Sequence, residues 1–323
     1  MPLPRIYLTR HWPAEVERHL VGRYEVTFNE TGAPLSCAAL RAVLGSSDAV
    51  CPTPWDQLTA EVLEARAAGL KLIANYGVGV SHIDLNACTR LGIVVTNTPD
   101  VLTESTADTA VMLMLMVARR AGEGERQVRG RAWTTWGPSN ILGAEVSGKK
   151  LGLVGFGRIG QALARKAYHG FGMSVSYYSR HRATPELEAR SNAAHCASLD
   201  ELLSNVDFVS LHCPGGAETR NLIDASKLAR MKPSAFLINT ARGEVVDEHA
   251  LVQALRDRTI AGAGLDVYER EPVVPDELIA LDNVVLLPHL GSATNETRIA
   301  MGMRVVENLD RFFAGLEPRD RVV

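Results

Sequence analysis

The chain has 323 residues, enough for two domains that each bury a core of their own. Hydrophobic residues make up 46%, charged residues 22%, and the formal net charge is −3, a balance that gives no footing for nucleic acid or an acidic membrane surface as partner. The opening MPLPRIYLTRHWPAE lacks a signal peptide's layout, and the longest apolar run, Ala110 to Ala118, is about half of the ~20 residues a membrane span needs.

Short apolar runs then alternate with amphipathic stretches, the pattern of an α/β protein with parallel sheets. In the first hundred residues the predicted strands are Arg5–Thr9, Tyr24–Phe28, Asp48–Cys51, Lys71–Asn75 and Ile93–Asn97, with helices between them such as Ala14–Val21 and Thr59–Ala68. Thr98-Pro99 punctuates this first doubly wound unit. A long helix follows from about Ser105 to Arg120, then a polar arm through Trp133, Trp136 and Pro138. Arg126, Arg129 and Arg131 read as a solvated helix face. A second series of six strands comes next: Lys150–Val154, Ser174–Tyr178, Phe208–Leu211, Ala235–Asn239, Gly262–Val267 and Val284–Leu287. Six strands with helical crossovers match a dinucleotide-binding sheet. The last helix, Ala293–Ala314, is expected to pack back on the first unit. That gives a discontinuous domain of residues 1–99 and 291–323 around a dinucleotide-binding domain of residues 100–290.

The cysteines (Cys37, Cys51, Cys88, Cys196, Cys213) are odd in number and form no CxxC pair. Reduced thiols in the cytoplasm are expected, with no zinc or other metal site.

Gly155-Phe-Gly157-Arg158-Ile159-Gly160 is a GxGxxG that directly follows the strand KLGLV and opens a helix. In that context Gly155 permits the tight turn, Gly157 lets a pyrophosphate approach the backbone, and Gly160 allows close helix–strand packing. The next strand ends at Tyr178, where an NAD site places an acid against the ribose 2′-hydroxyl. Here the residues are Ser179-Arg180-His181-Arg182. A hydroxyl and two guanidiniums suit a 2′-phosphate, so NADP(H) is expected to be preferred. NAD(H) stays open, because Arg180 and Arg182 can also stack on adenine or sit in solvent.

Three further pieces fall at the ends of later strands: Asn239-Thr240-Ala241-Arg242-Gly243-Glu244, Gly264-Leu265-Asp266 through Glu271-Pro272, and Leu287-Pro288-His289-Leu290-Gly291. Ligands of open α/β sheets bind beyond the carboxyl ends of the strands, which singles out Arg242, Glu271 and His289.

With GFGRIG and the N-terminal NYGVGVSHID, these pieces make the chain resemble the D-isomer-specific 2-hydroxyacid dehydrogenase family. The likeness is greatest to its glyoxylate/hydroxypyruvate reductase branch and runs the length of the chain. It implies a Rossmann cofactor domain inserted in a flavodoxin-like substrate domain, a homodimer, and reduction of a small 2-oxo acid by hydride transfer from NADPH. The resemblance makes Arg242 the grip on the substrate's carboxylate and 2-oxo oxygen, and His289 the proton donor oriented by Glu271. It makes the Val78 and Gly79 N–H groups a second carboxylate cradle. Asp266 corresponds to the residue that bonds the nicotinamide carboxamide, with Thr106 and Thr240 nearby, while His212 and Pro214 lie in the loop beside the cofactor. Formate dehydrogenases resemble this family but carry glutamine where Glu271 stands, and phosphite dehydrogenases use a lysine near Val78. A dinucleotide-sensing co-repressor of the same fold would retain a similar triad; it would also carry extended tails. The remaining histidines, His82 and His249 among them, read as structural.

Overall fold

In the computed structural model, which describes residues 2–64 and 69–323, the chain divides into two units: the residues up to Leu102 with Ala293–Val323, and Thr103–Ser292. The first unit holds β1 (Arg5–Leu8), β2 (Glu25–Phe28), β3 (Ala49–Cys51), β4 (Leu72–Ala74) and β5 (Val94–Thr96). They form one parallel sheet in the order β2-β1-β3-β4-β5, the flavodoxin-like order. β3 and β4 are buried along their whole length, which is why they read as unbroken apolar runs.

The helix Asn295–Phe313 packs in this unit against Ala14–Leu20. A Cβ at Gly302 would stand 2.7 Å from Val16 Cγ1, so the helices touch backbone to side chain there. Beyond it the chain runs antiparallel to β5, with Val322 N–H bonded to the Val95 carbonyl at 2.7 Å. The helix predicted over Thr59–Ala68 is seen as Ala60–Glu64; its residues 65–68 lie outside the described residues.

The second unit holds β6 (Lys150–Val154), β7 (Ser174–Tyr178), β8 (Ala194–His195), β9 (Phe208–Leu211), β10 (Phe236–Asn239), β11 (Gly262–Leu265) and β12 (Val284–Leu286). All pairings are parallel, in the order β12-β11-β10-β9-β6-β7-β8. This is the Rossmann order with one strand more than the six predicted, the two-residue edge strand β8. Successive residues of β10, Leu237 and Ile238, enter two different apolar clusters, as the two-residue period of a strand requires. The helix Thr103–Ala118 buries Ala107, Ala110, Leu113, Met114 and Val117 in one of them. It stops earlier than expected because Arg120 turns left-handed (φ 54°). A second helix, Ala121–Arg129, then occupies the start of what reads as a polar arm, and it buries no residue.

The order of this sheet reverses between β6 and β9. Chains leaving those two neighbours depart to opposite sides, which opens a crevice at their carboxyl ends. The loops that carry the GxGxxG and His212 therefore meet there.

Candidate active site

Gly155 leaves β6 at φ 95°, a conformation that strains any residue with a Cβ. A Cβ there would also stand 2.8 Å from the His212 carbonyl group, and one at Gly160 would stand 2.5 Å from Gly155 O. Around Gly157 nothing lies within 4 Å of the corresponding position. Two glycines thus close the turn, while the middle one leaves its backbone open. Gly157 caps the helix Arg158–Phe171 with no side-chain bond, so the first-turn N–H groups near Arg158 and Ile159 keep the partial positive charge of a helix start. The sequence reading missed Gln161, whose Nε2 donates to Phe156 O at 2.9 Å and braces the turn.

The arginines after β7 are engaged. Arg182 forms a two-pronged pair with Glu188, both bonds 2.9 Å, and Tyr177 Oη donates to the same carboxylate. The guanidinium and the phenol hold the Glu188 carboxyl down to about 2. Arg180 pairs with Glu218 where both side chains are more than 70% exposed, so that pair is worth at most about 1 kcal/mol. Ser179 Oγ donates to His181 O.

His212 and Ser210 share a hydrogen bond at 2.9 Å, and burial pushes the imidazole down to about 4, which keeps it neutral at physiological pH. Pro214 O accepts from Thr219 Oγ1 at 2.6 Å, which fixes the exposed loop. The following Gly215 lies on the stem of Arg242: a Cβ there would be 2.9 Å from Arg242 Cγ. Thr240, just past β10, has a buried hydroxyl with no partner among the described residues. An orphaned buried hydroxyl costs about 1–3 kcal/mol unless something else bonds it, as a dinucleotide would.

Arg242 follows in extended conformation, with Nη1 donating to Ala241 O at 2.6 Å. Burial lowers its pKa, and the nearby Glu271 and Glu244 carboxylates oppose that shift, so the fork remains charged. Its loop is held by Asn239, which donates through Nδ2 to Arg242 O at 2.9 Å and accepts from Ala241 N–H at 3.0 Å. Gly243 is pressed onto the next loop so tightly that a Cβ would fall 1.8 Å from the Tyr268 carbonyl carbon. Glu244 accepts from Gly216 N–H at 2.7 Å and pairs with Arg220.

The loops after β11 and β12 bring Glu271 and His289 together. His289 Nδ1–H donates to Glu271 Oε2 at 2.7 Å, and Tyr268 N–H donates to Oε1 at 3.1 Å. Tyr268 Oη in turn donates to Leu287 O at 2.9 Å, which ties the two loops. His289 adopts φ 56°, unusual for a residue with a long side chain. It is held there by its own N–H to Asp266 O at 3.0 Å and by Leu290 and Gly291 N–H groups donating to the Asp266 carboxylate at 2.6 and 2.8 Å. Burial raises the Asp266 carboxyl, while those two N–H groups and the imidazole favour its charged form. Thr106 borders the same spot: a Cβ on Gly291 would be 3.3 Å from Asp266 Oδ2 and 3.5 Å from Thr106 Oγ1. With Nδ1 anchored, the imidazole's Nε2 has no partner among the described residues and can carry a proton to a ligand.

In the first unit, Val78 and Gly79 lie just past β4. Gly77, Val78 and Gly79 all have their carbonyls bonded, to Asn75 and Thr98, to Asn97, and to Asn75 respectively. The Val78 and Gly79 N–H groups donate to nothing among the described residues, and Val78 is 36% exposed.

The model of the D-isomer specific 2-hydroxyacid dehydrogenase NAD binding domain matches residues 111–291. A glyoxylate reductase of Thermococcus onnurineus is 46% identical over 319 residues, covering 98% of this chain and 94% of that protein. The chain belongs to the D-isomer specific 2-hydroxyacid dehydrogenase family. It is an NAD(P)-dependent oxidoreductase of that family, and its similarity is to the glyoxylate reductase branch. Among solved structures, the NADPH-dependent glyoxylate/hydroxypyruvate reductase of Sinorhizobium meliloti, in complex with NADP and malonate, superposes with a TM-score of 0.87 at 35% identity. That match covers 99% of this chain and 97% of the other. A glyoxylate reductase from Paecilomyes thermophila gives a TM-score of 0.87 at 32% identity, covering 100% and 99%. Among the described residues, no helix is long and apolar enough to cross a membrane.

Proposed function

We propose that this oxidoreductase is a D-2-hydroxyacid dehydrogenase that reduces glyoxylate or hydroxypyruvate, with NADPH preferred over NADH. The observation that carries the reading is the His289–Glu271 bond of 2.7 Å, beside a charged Arg242 on the neighbouring loop.

The residues fit a dinucleotide. Gly155, Gly157 and Gly160, with the first-turn N–H groups at Arg158 and Ile159, would receive the pyrophosphate. Ser179, Arg180 and Arg182 would meet the adenosine 2′-phosphate, and His212, Pro214 and Thr240 would line the crevice. Asp266, each oxygen of which already accepts one N–H, has lone pairs left for the carboxamide beside Thr106. The reduced nicotinamide, when bound, supplies the hydride.

Arg242 holds the substrate's carboxylate and 2-oxo oxygen in one planar fork, which fixes the carbonyl and draws electron density toward oxygen. The Val78 and Gly79 N–H groups serve as a second carboxylate cradle. His289 gives its Nε2 proton to the carbonyl oxygen and is left neutral. Glu271 holds the ring through Nδ1, which leaves Nε2 to face the carbonyl oxygen. A homodimer in the cytoplasm completes the proposal. It rests on the likeness along the whole chain.

Two guanidiniums and no carboxylate follow β7 directly, which favours a 2′-phosphate. The exposed Arg180–Glu218 pair yields readily to a phosphate dianion, a better partner for the same fork. With glyoxylate as substrate, kcat/KM for NADPH is expected to exceed that for NADH by about tenfold or more, the equivalent of ~1.4 kcal/mol. A clear preference for NADH would overturn the cofactor assignment.

A further inference from the structure

We propose that Asn75, locked by His82, and Asn97 are the positioning residues that aim the backbone donors of the substrate cradle. The inference rests on the reading of Val78 and Gly79 as a carboxylate cradle.

A trans peptide is planar, so the C=O of one residue and the N–H of the next point in opposite directions. Holding a carbonyl therefore aims the following N–H. Gly77 O accepts from Asn75 Nδ2 at 2.9 Å and from Thr98 N–H at 3.1 Å, which turns Val78 N–H the other way. Val78 O accepts from Asn97 Nδ2 at 2.9 Å, which does the same for Gly79 N–H. The two donors meant for the substrate are thus set by two amide side chains whose Nδ2 groups are turned to backbone carbonyls.

Asn75 is fully buried, and its second Nδ2 hydrogen goes to Gly79 O at 3.1 Å. Both amide hydrogens are spent, so Oδ1 can only accept. It faces His82 Nε2 at 3.1 Å, and that nitrogen must carry a hydrogen. A flipped Asn75 amide would set its oxygen against two carbonyl oxygens and leave the His82 donor facing an NH₂. The His82 proton and the two carbonyl oxygens therefore favour the same amide orientation, the one that holds the cradle. His82 is itself buried, with Nε2 turned to Asn75 Oδ1.

The test is the split between KM and kcat. His82→Leu removes the donor and His82→Gln restores one at similar reach, while Asn97→Ala frees Val78 O at a partly exposed strand end. For His82→Leu and for Asn97→Ala, the KM for glyoxylate and the Ki for malonate, which carries the carboxylate without a reducible carbonyl, are expected to rise about tenfold. kcat and the NADPH Kd should stay within about twofold, and His82→Gln should recover most of the loss. Unchanged KM and Ki in folded His82→Leu and Asn97→Ala would overturn the proposal, as would a fall in kcat alone or a His82→Gln as impaired as His82→Leu. If His82→Leu does not fold, Asn97→Ala decides by the same readouts. Val78→Pro, which deletes the N–H itself, separates the two failures: a folded Val78→Pro with unchanged KM refutes the cradle, whereas a raised KM there with unaffected Asn97→Ala refutes only the positioning.

Discussion

Replacing His289 by alanine is expected to lower kcat for glyoxylate by at least about 10³-fold while leaving the NADPH Kd within a few-fold of wild type. The size follows from the role: a positioned general acid contributes about 10²–10⁴ to rate, and the bond from Nδ1 to Glu271 holds this one in position. Two alternative causes of inactivity have to be separated from lost chemistry. The first is backbone strain, since His289 sits at φ 56°. Asparagine tolerates that conformation well, so His289→Asn should keep the loop and still lose turnover. The second is collapse of the cofactor pocket, because His289 N–H and the two residues after it hold Asp266. Those bonds come from the backbone and survive both substitutions. Fluorescence titration with NADPH beside steady-state kinetics reads both quantities. A near-normal kcat would remove His289 from the mechanism.

Arg242→Lys is expected to cost about 10²–10³ in kcat/KM for glyoxylate, and Arg242→Ala more. Lysine keeps the charge that offsets Glu271 and Glu244 but loses the fork, so it cannot hold a carboxylate and a carbonyl oxygen in one plane. Loss of a single well-placed donor to a developing oxyanion is worth about 10²–10³ in rate. Alanine also leaves the two carboxylates without their shared cation, so its melting temperature should fall as well, whereas the lysine variant should melt near wild type. Comparing kcat/KM with NADPH Kd in both variants checks the assignment. If Arg242→Lys kept full kcat/KM, a point charge would suffice and the fork would have no role.

Much of this was legible in the sequence because parallel strands buried on both faces leave unbroken apolar runs. Phe208–Leu211 is buried at every position and was placed to the residue. β8 escaped because a strand of Ala194 and His195 has no periodicity to read. The arginines of Ala121–Arg129 read as a solvated helix face, but its bounds escaped because a helix that buries nothing has no apolar stripe to mark them. Arg242, Glu271 and His289 were legible as motif residues at strand ends. Their supports were not: Asn239 acts on its own loop's backbone, Glu188 reaches Arg182 from the short helix Pro185–Ala189 and Glu218 reaches Arg180 from a separate loop, and Asn75 acts on carbonyls through an amide that could face either way. In the sequence His82 reads as one more structural histidine, since a hydrogen bond from an imidazole to an asparagine oxygen leaves no mark in composition or spacing.

The reductase assignment itself is tested most directly by NADPH oxidation across a panel of glyoxylate, hydroxypyruvate and pyruvate, with the configuration of any chiral product determined. Rapid turnover of glyoxylate and hydroxypyruvate with D-glycerate from the latter is the predicted result. No turnover of any 2-oxo acid with either reduced cofactor, by protein that binds NADPH, would contradict it.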